Sequence, residues 1–335
     1  MRNKDIFSMI IILLFIIITF YLNSIIGVLS FLTSIGIYTI IFYSFHIIWR
    51  SLLKKEIIDS MTYIKNFIFR VSIFLIIIVS FFSITSYLLN EVYKAKMPEY
   101  TISNGEKIVK FQAMVHIGSQ NFYDNIENNI REFKKNGGVL FFEGVKPGTE
   151  ENMEKFNQAM GINFDEDLYK NFSKLYGVTF QDNNQFLGLE NELDFNIDLS
   201  VDDIIKLYKE KNIENNKQKN YGVPIDANKE ILDTLSNLNE KELKILVYLN
   251  QAILNMIIGS ESTQGFLSDN FTNKELFEVI LDERNKILVN EIQKSEYKKI
   301  YITYGLLHFK GVLKELQKLD PKWEIIEIKY LYPIN

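Results

Sequence analysis

The hydropathy of this chain changes character once, near residue 90. Ahead of that point lie three uncharged apolar runs, Ile6 to Leu22, Ile25 to Trp49 and Val71 to Leu89. At about 1.5 Å of rise per residue, each is long enough to cross a hydrocarbon layer roughly 30 Å thick as a helix. The pattern predicts a membrane anchor over 1–96 with three transmembrane helices, at about 6–22, 25–49 and 68–90. A cleaved leader fits less well, because the first run is long and no small-residue cleavage site follows it.

From residue 97 onward the periodicity is that of a folded α/β domain. Ile108 to Val115 reads as a strand and Gln120 to Lys135 as a helix, with Phe122, Ile126, Ile130 and Phe133 forming a 3.6-residue stripe. Gly137-Gly138 stops that helix, and Val139 to Glu143 reads as the next strand. The same layout closes the chain: strand Lys299 to Tyr304, helix Phe309 to Leu319, stop Asp320-Pro321, strand Trp323 to Tyr332. Between these units the pattern is helical: Thr149 to Met160, Asp165 to Tyr176, a helix from a Ser200–Asp203 capping box to about Lys211, Asn239 to Gly259, and a helix capped at Thr272 that runs to about Lys294. Leu193 to Asp198 alternates like a short strand. Glu91 to Gly105 reads as a polar connector, and Asn212 to Tyr221 as a loop. The expected fold is α/β: two βαβ units forming a central sheet with a helical insertion over 97–335, preceded by the three membrane helices.

Charge orients the anchor. Arg2 and Lys4 precede the first run, no charge lies between the first two, and Arg50, Lys54, Lys55, Lys65 and Arg70 lie between the second and third. Basic loops stay in the cytoplasm, which puts the domain after the third run outside. Residues 1–96 carry nine Lys/Arg against four Asp/Glu, and the remainder 28 against 38. An acidic domain is a poor partner for nucleic acid, whose phosphates require a basic face. Neither a Gly-x-x-x-x-Gly-Lys loop nor a Gly-x-Gly-x-x-Gly turn occurs. The absence of cysteine removes disulfides, thiolate metal sites and a cysteine nucleophile.

Only three histidines occur, and two of them, His116 and His308, follow the opening strands of the two βαβ units. Ligands of open parallel sheets sit at the carboxyl ends of strands, so His116 and Glu143 are expected to face one crevice, with His308 at the equivalent place in the second unit. Two imidazoles and a carboxylate make a first shell for a divalent ion, Mn, Co, Fe or Zn, which would activate a water. Glu143 is equally suited to serve as general base.

Ala113-Met-Val-His116, Phe141-Phe-Glu143-Gly, Glu283-Arg284-Asn285 and Gly305-Leu-Leu-His308 resemble, in order and spacing, the TraB/PrgY and Tiki superfamily, which includes GumN, ChaN-like and erythromycin-esterase-like proteins. The resemblance covers about residues 105–332. Ala113 stands where the family usually has glycine. Asn196-Ile-Asp198 is similar to a short acidic motif of the family's central part. The resemblance implies a metal-dependent hydrolase or peptidase, with His116, Glu143 and His308 as metal ligands and Glu143, Arg284 and Asn285 in catalysis. It would be a multi-pass protein of the cell membrane acting on a peptide or polypeptide outside the cytoplasm. Relatives also suggest two alternatives: a protein that binds and sequesters a peptide pheromone without cutting it, and a binder of haem or another cofactor.

Overall fold

A computed structural model describes residues 3–161, 163, 166–214, 226–260 and 274–334. The chain divides into two units, Met1–Tyr87 with Asn237–Leu246, and Leu88–Ser236 with Val247–Asn335. The sequence places the boundary at 96/97 and does not anticipate that ten residues from 237 belong with the apolar unit.

In the first unit, α1 (Asn3–Leu52) and α2 (Ser60–Tyr87) are apolar and long enough to cross a membrane. Where the sequence predicts three such helices, the structure has two. No proline or paired glycine separates the first two runs, and the α1 backbone leaves helical geometry only at Ser24 (φ 59, ψ −162). Phe15 and Phe31 would lie about 24 Å apart along a straight helix. Their ring centroids are 6.3 Å apart and stacked, so the chain doubles back at Ser24. The break frees helix-end carbonyls that need donors. Asn239 supplies one to Leu22 O at 2.9 Å, and Lys241 one to Tyr21 O at 2.8 Å. α2 meets both arms of α1, through Phe69 against Phe7 and Phe67 against Phe42.

After the apolar helices the elements follow in chain order: β1 (Met97–Ser103), β2 (Ile108–Met114), β3 (Ile117–Gly118), α3 (Gln120–Lys135), β4 (Val139–Phe142), α4 (Glu150–Met160), α5 (Glu166–Tyr176), β5 (Thr179–Phe180), β6 (Asp194–Asn196), α6 (Val201–Glu214), α7 (Ala227–Ser236), α8 (Glu240–Gly259), of which the residues to Leu246 belong to the first unit, α9 (Lys274–Glu278), α10 (Arg284–Lys294), β7 (Lys299–Gly305), α11 (Phe309–Leu319) and β8 (Glu324–Leu331). One π-helical turn, Val279–Glu283, separates α9 from α10. α7 and the small β3–β5 pairing have no counterpart in the sequence reading. The expected Thr272 cap, Asp165 and residues 215–221 of the expected loop lie outside the described residues.

Both βαβ units share one sheet, ordered β6-β4-β7-β2-β1-β8. β2, β7, β4 and β6 are parallel neighbours, and β1 runs antiparallel between β2 and β8. The units interleave: β7 lies between β2 and β4, and β2 and β1 lie between β7 and β8. The expected connector over 91–105 contains β1, whose polar residues hid it. Glu99 of β1 is buried, accepting from Tyr301 Oη at 2.6 Å and Asn129 Nδ2 at 3.2 Å. Val109, Phe111, Val139, Leu140, Ile300 and Ile302 are fully buried in the sheet. Phe122, Ile126 and Ile130 of α3 join the same core, as do Phe309, Val312 and Leu316 of α11. Helix starts follow the sequence signals: Ser119 Oγ accepts from Phe122 N, and Ser200 and Asp203 exchange side-chain-to-backbone bonds as a capping box.

Candidate functional site

The parallel strands end side by side, and β4 and β6 each contribute a carboxylate just past their last pair, while β7 ends on Gly305. Phe142 of β4 pairs with Thr303 of β7 and Asn196 of β6, so Glu143, Gly305 and Asp198 emerge on one rim. Glu143 N donates to Thr303 O at 2.9 Å, which fixes where its side chain starts. α10 runs up to the same rim, and the π turn just before it sets the rotation at which Arg284, its first residue, enters.

Arg284 is buried and grips Asp198 with two parallel bonds, Nε to Oδ1 and Nη2 to Oδ2, each 2.7 Å. Nη2 also donates to Glu143 Oε1 at 2.5 Å. The other Glu143 oxygen, Oε2, accepts from the Gly305 backbone N–H at 2.5 Å. Burial alone would raise the Glu143 carboxyl, but Arg284, His308 and His116 outweigh it and hold the group at about 2. Burial likewise opposes the Arg284 charge, and Glu143 and Asp198 more than restore it, so its pKa rises. The Arg284 guanidinium lies 5.5 Å from the Tyr304 ring centroid. Tyr304 itself donates to Ile197 O, and its ring packs edge-on against His308 at 5.0 Å.

His308 closes a single 3₁₀ turn after β7 and is buried. Its Nδ1 lies 2.8 Å from Asn285 Oδ1. With that oxygen as acceptor the imidazole carries its proton on Nδ1, which leaves Nε2 bare. Burial pushes the His308 pKa down to about 4, with Arg284 and His116 acting in the same direction and Glu143 against them. Gly311 explains how Asn285 comes so close: a Cβ there would stand 2.2 Å from Asn285 Nδ2. A Cβ on Gly305 would stand 3.3 Å from Glu143 Oε2 and 3.5 Å from His308 Cδ2. The position above Gly305 is therefore closely bordered by both groups.

The two histidines are not equivalent in structure. Gly305 registers with Met114 rather than Ala113, and Ala113 is a fully buried strand residue. His116 sits in an exposed bend, its carbonyl accepting from Gln181 N at 2.8 Å and its ring 5.5 Å from that of Tyr169. Of the residues singled out in the sequence, Glu143, Arg284, Asn285 and His308 converge through direct contacts and shared neighbours; His116 lies against the Tyr169 ring, outside those contacts. Asp198 is the partner that the sequence brought in only through resemblance. Its one local signal is a carboxylate two residues past a short strand, the pattern that marked Glu143.

Both Glu143 oxygens already hold donors, one of them the Arg284 guanidinium, so a metal ion bound by Glu143 would have to share or displace them. No family model matches the chain, and it has no match among curated proteins or solved structures.

Proposed function

We propose that this chain is a membrane-anchored hydrolase of the TraB/PrgY and Tiki kind that cleaves a peptide or an exposed polypeptide segment outside the cytoplasm. The observation that carries this reading is that Glu143, held ionised by Arg284, and the neutral His308 imidazole, backed by Asn285, flank one backbone position, Gly305. In this reading Glu143, held by Arg284 and the Gly305 N–H, accepts a hydrogen bond from a water and orients it. His308 takes that water's proton on Nε2 as the oxygen attacks the scissile carbonyl, and returns it to the leaving amine. Asn285 holds the imidazole in the required tautomer, and Arg284 keeps Glu143 charged inside a buried setting. His116 and the Tyr169 ring at the rim would meet the substrate.

The anchor belongs to the same proposal. The return at Ser24 makes α1 a pair of crossings, which with α2 gives three. The basic stretch over 50–70 then lies in the cytoplasm and the α/β domain outside. The test is hydrolysis of a peptide pool by the full-length protein in membranes: His308→Gln and Glu143→Gln should each abolish cleavage while the protein stays folded.

One observation favours a second reading, a protein that captures a peptide without cutting it. Both Glu143 oxygens are satisfied within the chain, so the rim can present a finished binding surface. Under that reading the same variants weaken peptide binding, and mass spectrometry finds the peptide intact.

A further inference from the structure

The outer edge of β8 is the most exposed regular element of the second unit. β8 ends the sheet, hydrogen-bonded to β1 on one side and to no strand among the described residues on the other. Seven of its eight residues are exposed. Unpaired edges of this length invite another strand.

The side chains say which strand. Ile328 and Tyr330 pair with Tyr100 and Pro98 of β1, and the Tyr100 ring stacks on Phe309, so these residues lie on the α11 face. Glu327 and Lys329 pair with Thr101 and Glu99, and Glu99 accepts from Asn129 of α3, so they lie on the opposite face. β8 therefore offers an apolar row on one face and a neutral charge pair on the other, with Glu327 and Lys329 already 3.6 Å apart.

The geometry points to a second copy of this chain as the occupant, joined by antiparallel β8–β8 pairing about a twofold axis through Ile328. In that register Ile328 faces Ile328 of the second copy; the bulge opposite Thr101/Ile102 leaves Ile326 without a partner on β1 and takes it out of the alternation. Glu327 faces Lys329, and Lys329 faces Glu327, so two opposite-charge pairs form on one face. Centring the axis on Glu327 would oppose two carboxylates, and centring it on Lys329 would oppose two ammonium groups. A shift to a half-integral centre would set the apolar row against the charged one. Among these centres only Ile328 joins opposite charges on one face and apolar residues on the other, which is the self-complementarity an isologous interface requires. The product is a continuous sheet of twelve strands across two protomers.

The chain has no cysteine, so single substitutions report cleanly. In membranes under mild oxidation, Ile328→Cys is expected to give a covalent dimer, because only the residue on the axis meets itself within disulfide range. Tyr330→Cys alone, two residues off the axis, is expected to give little dimer. Glu327→Lys or Lys329→Glu in the Ile328→Cys background is expected to lower the crosslinked fraction several-fold, and the double swap to restore it. Crosslinking of Ile328→Cys no greater than that of Tyr330→Cys alone, with tryptophan fluorescence showing a folded domain, would overturn the proposal. The charges and the bulge opposite Thr101/Ile102 would then be guards of a solitary edge.

Discussion

Arg284 holds Asp198 by two parallel bonds of 2.7 Å, and the nitrogen that makes the second also reaches Glu143. The guanidinium thus joins the strand ends of β4 and β6 to α10, and keeps Glu143 ionised where burial alone would neutralise it. Breaking a buried ion pair on one side leaves the other charge stranded, at a cost of about 3–5 kcal/mol. Asp198→Ala should fall in that range by chemical denaturation followed through the buried Trp323. Asp198→Asn, which keeps one acceptor, should cost less than half as much. Arg284→Lys should fail to replace arginine, since a lysine has no planar fork to span both carboxylates.

Gly311 tests the His308 tautomer. Its backbone is that of an ordinary helix, so Gly311→Ala carries no conformational penalty of its own, and the added methyl would stand 2.2 Å from Asn285 Nδ2. Asn285 must then swing away and release His308. We expect a loss of hydrolysis of about tenfold or more, with only about 1–3 kcal/mol lost in stability from the local overpacking. Gly305→Ala should also impair turnover, because its methyl would press on Glu143 and His308.

Acid should weaken the fold in two steps. The His308 pKa is depressed from 6.5 to about 4 in the folded protein, so the unfolded chain binds its proton first as pH falls. The His308 contribution is complete above about pH 6.5 and is lost between there and about pH 4, worth roughly 3 kcal/mol. Glu143, depressed from 4.5 to about 2, adds a second loss of similar size below about pH 4.5. Unfolding free energy measured from pH 7 to pH 4 should slope downward for the wild type, and the slope should flatten in His308→Gln.

Lys107 offers a control away from the site. Its Nζ donates to three carbonyls at the end of α10, Ile292 at 2.7 Å, Gln293 at 3.0 Å and Ser295 at 2.6 Å. An ammonium there suits the negative end of the helix. Lys107→Met should cost about 1–3 kcal/mol in thermal or denaturant unfolding and leave hydrolysis per folded molecule unchanged.

Much of the fold was legible because its signals are local. The α3 stripe, the Ser119 and Ser200 caps and the glycines ending α4 and α5 each act within a few residues, and the strands of both βαβ units alternate or run apolar as buried strands do. β1 was not legible, because Pro98, Glu99 and Thr101 read as polar linker until Tyr301 and Asn129 arrive from distant elements to satisfy Glu99. The break at Ser24 carries no proline to separate two helices. At the site, residues just past strand ends declared themselves by position. Asp198 and Gly311 did not, since their roles exist only once α10 is docked against the sheet.

The most direct measurement is cleavage of a peptide pool by the full-length protein in membranes, read by mass spectrometry for wild type, His308→Gln and Glu143→Gln, with and without a chelator. The account predicts new peptide termini with wild type alone, surviving chelation because an arginine rather than a metal ion holds Glu143. Cleavage that persists undiminished in both variants would contradict it.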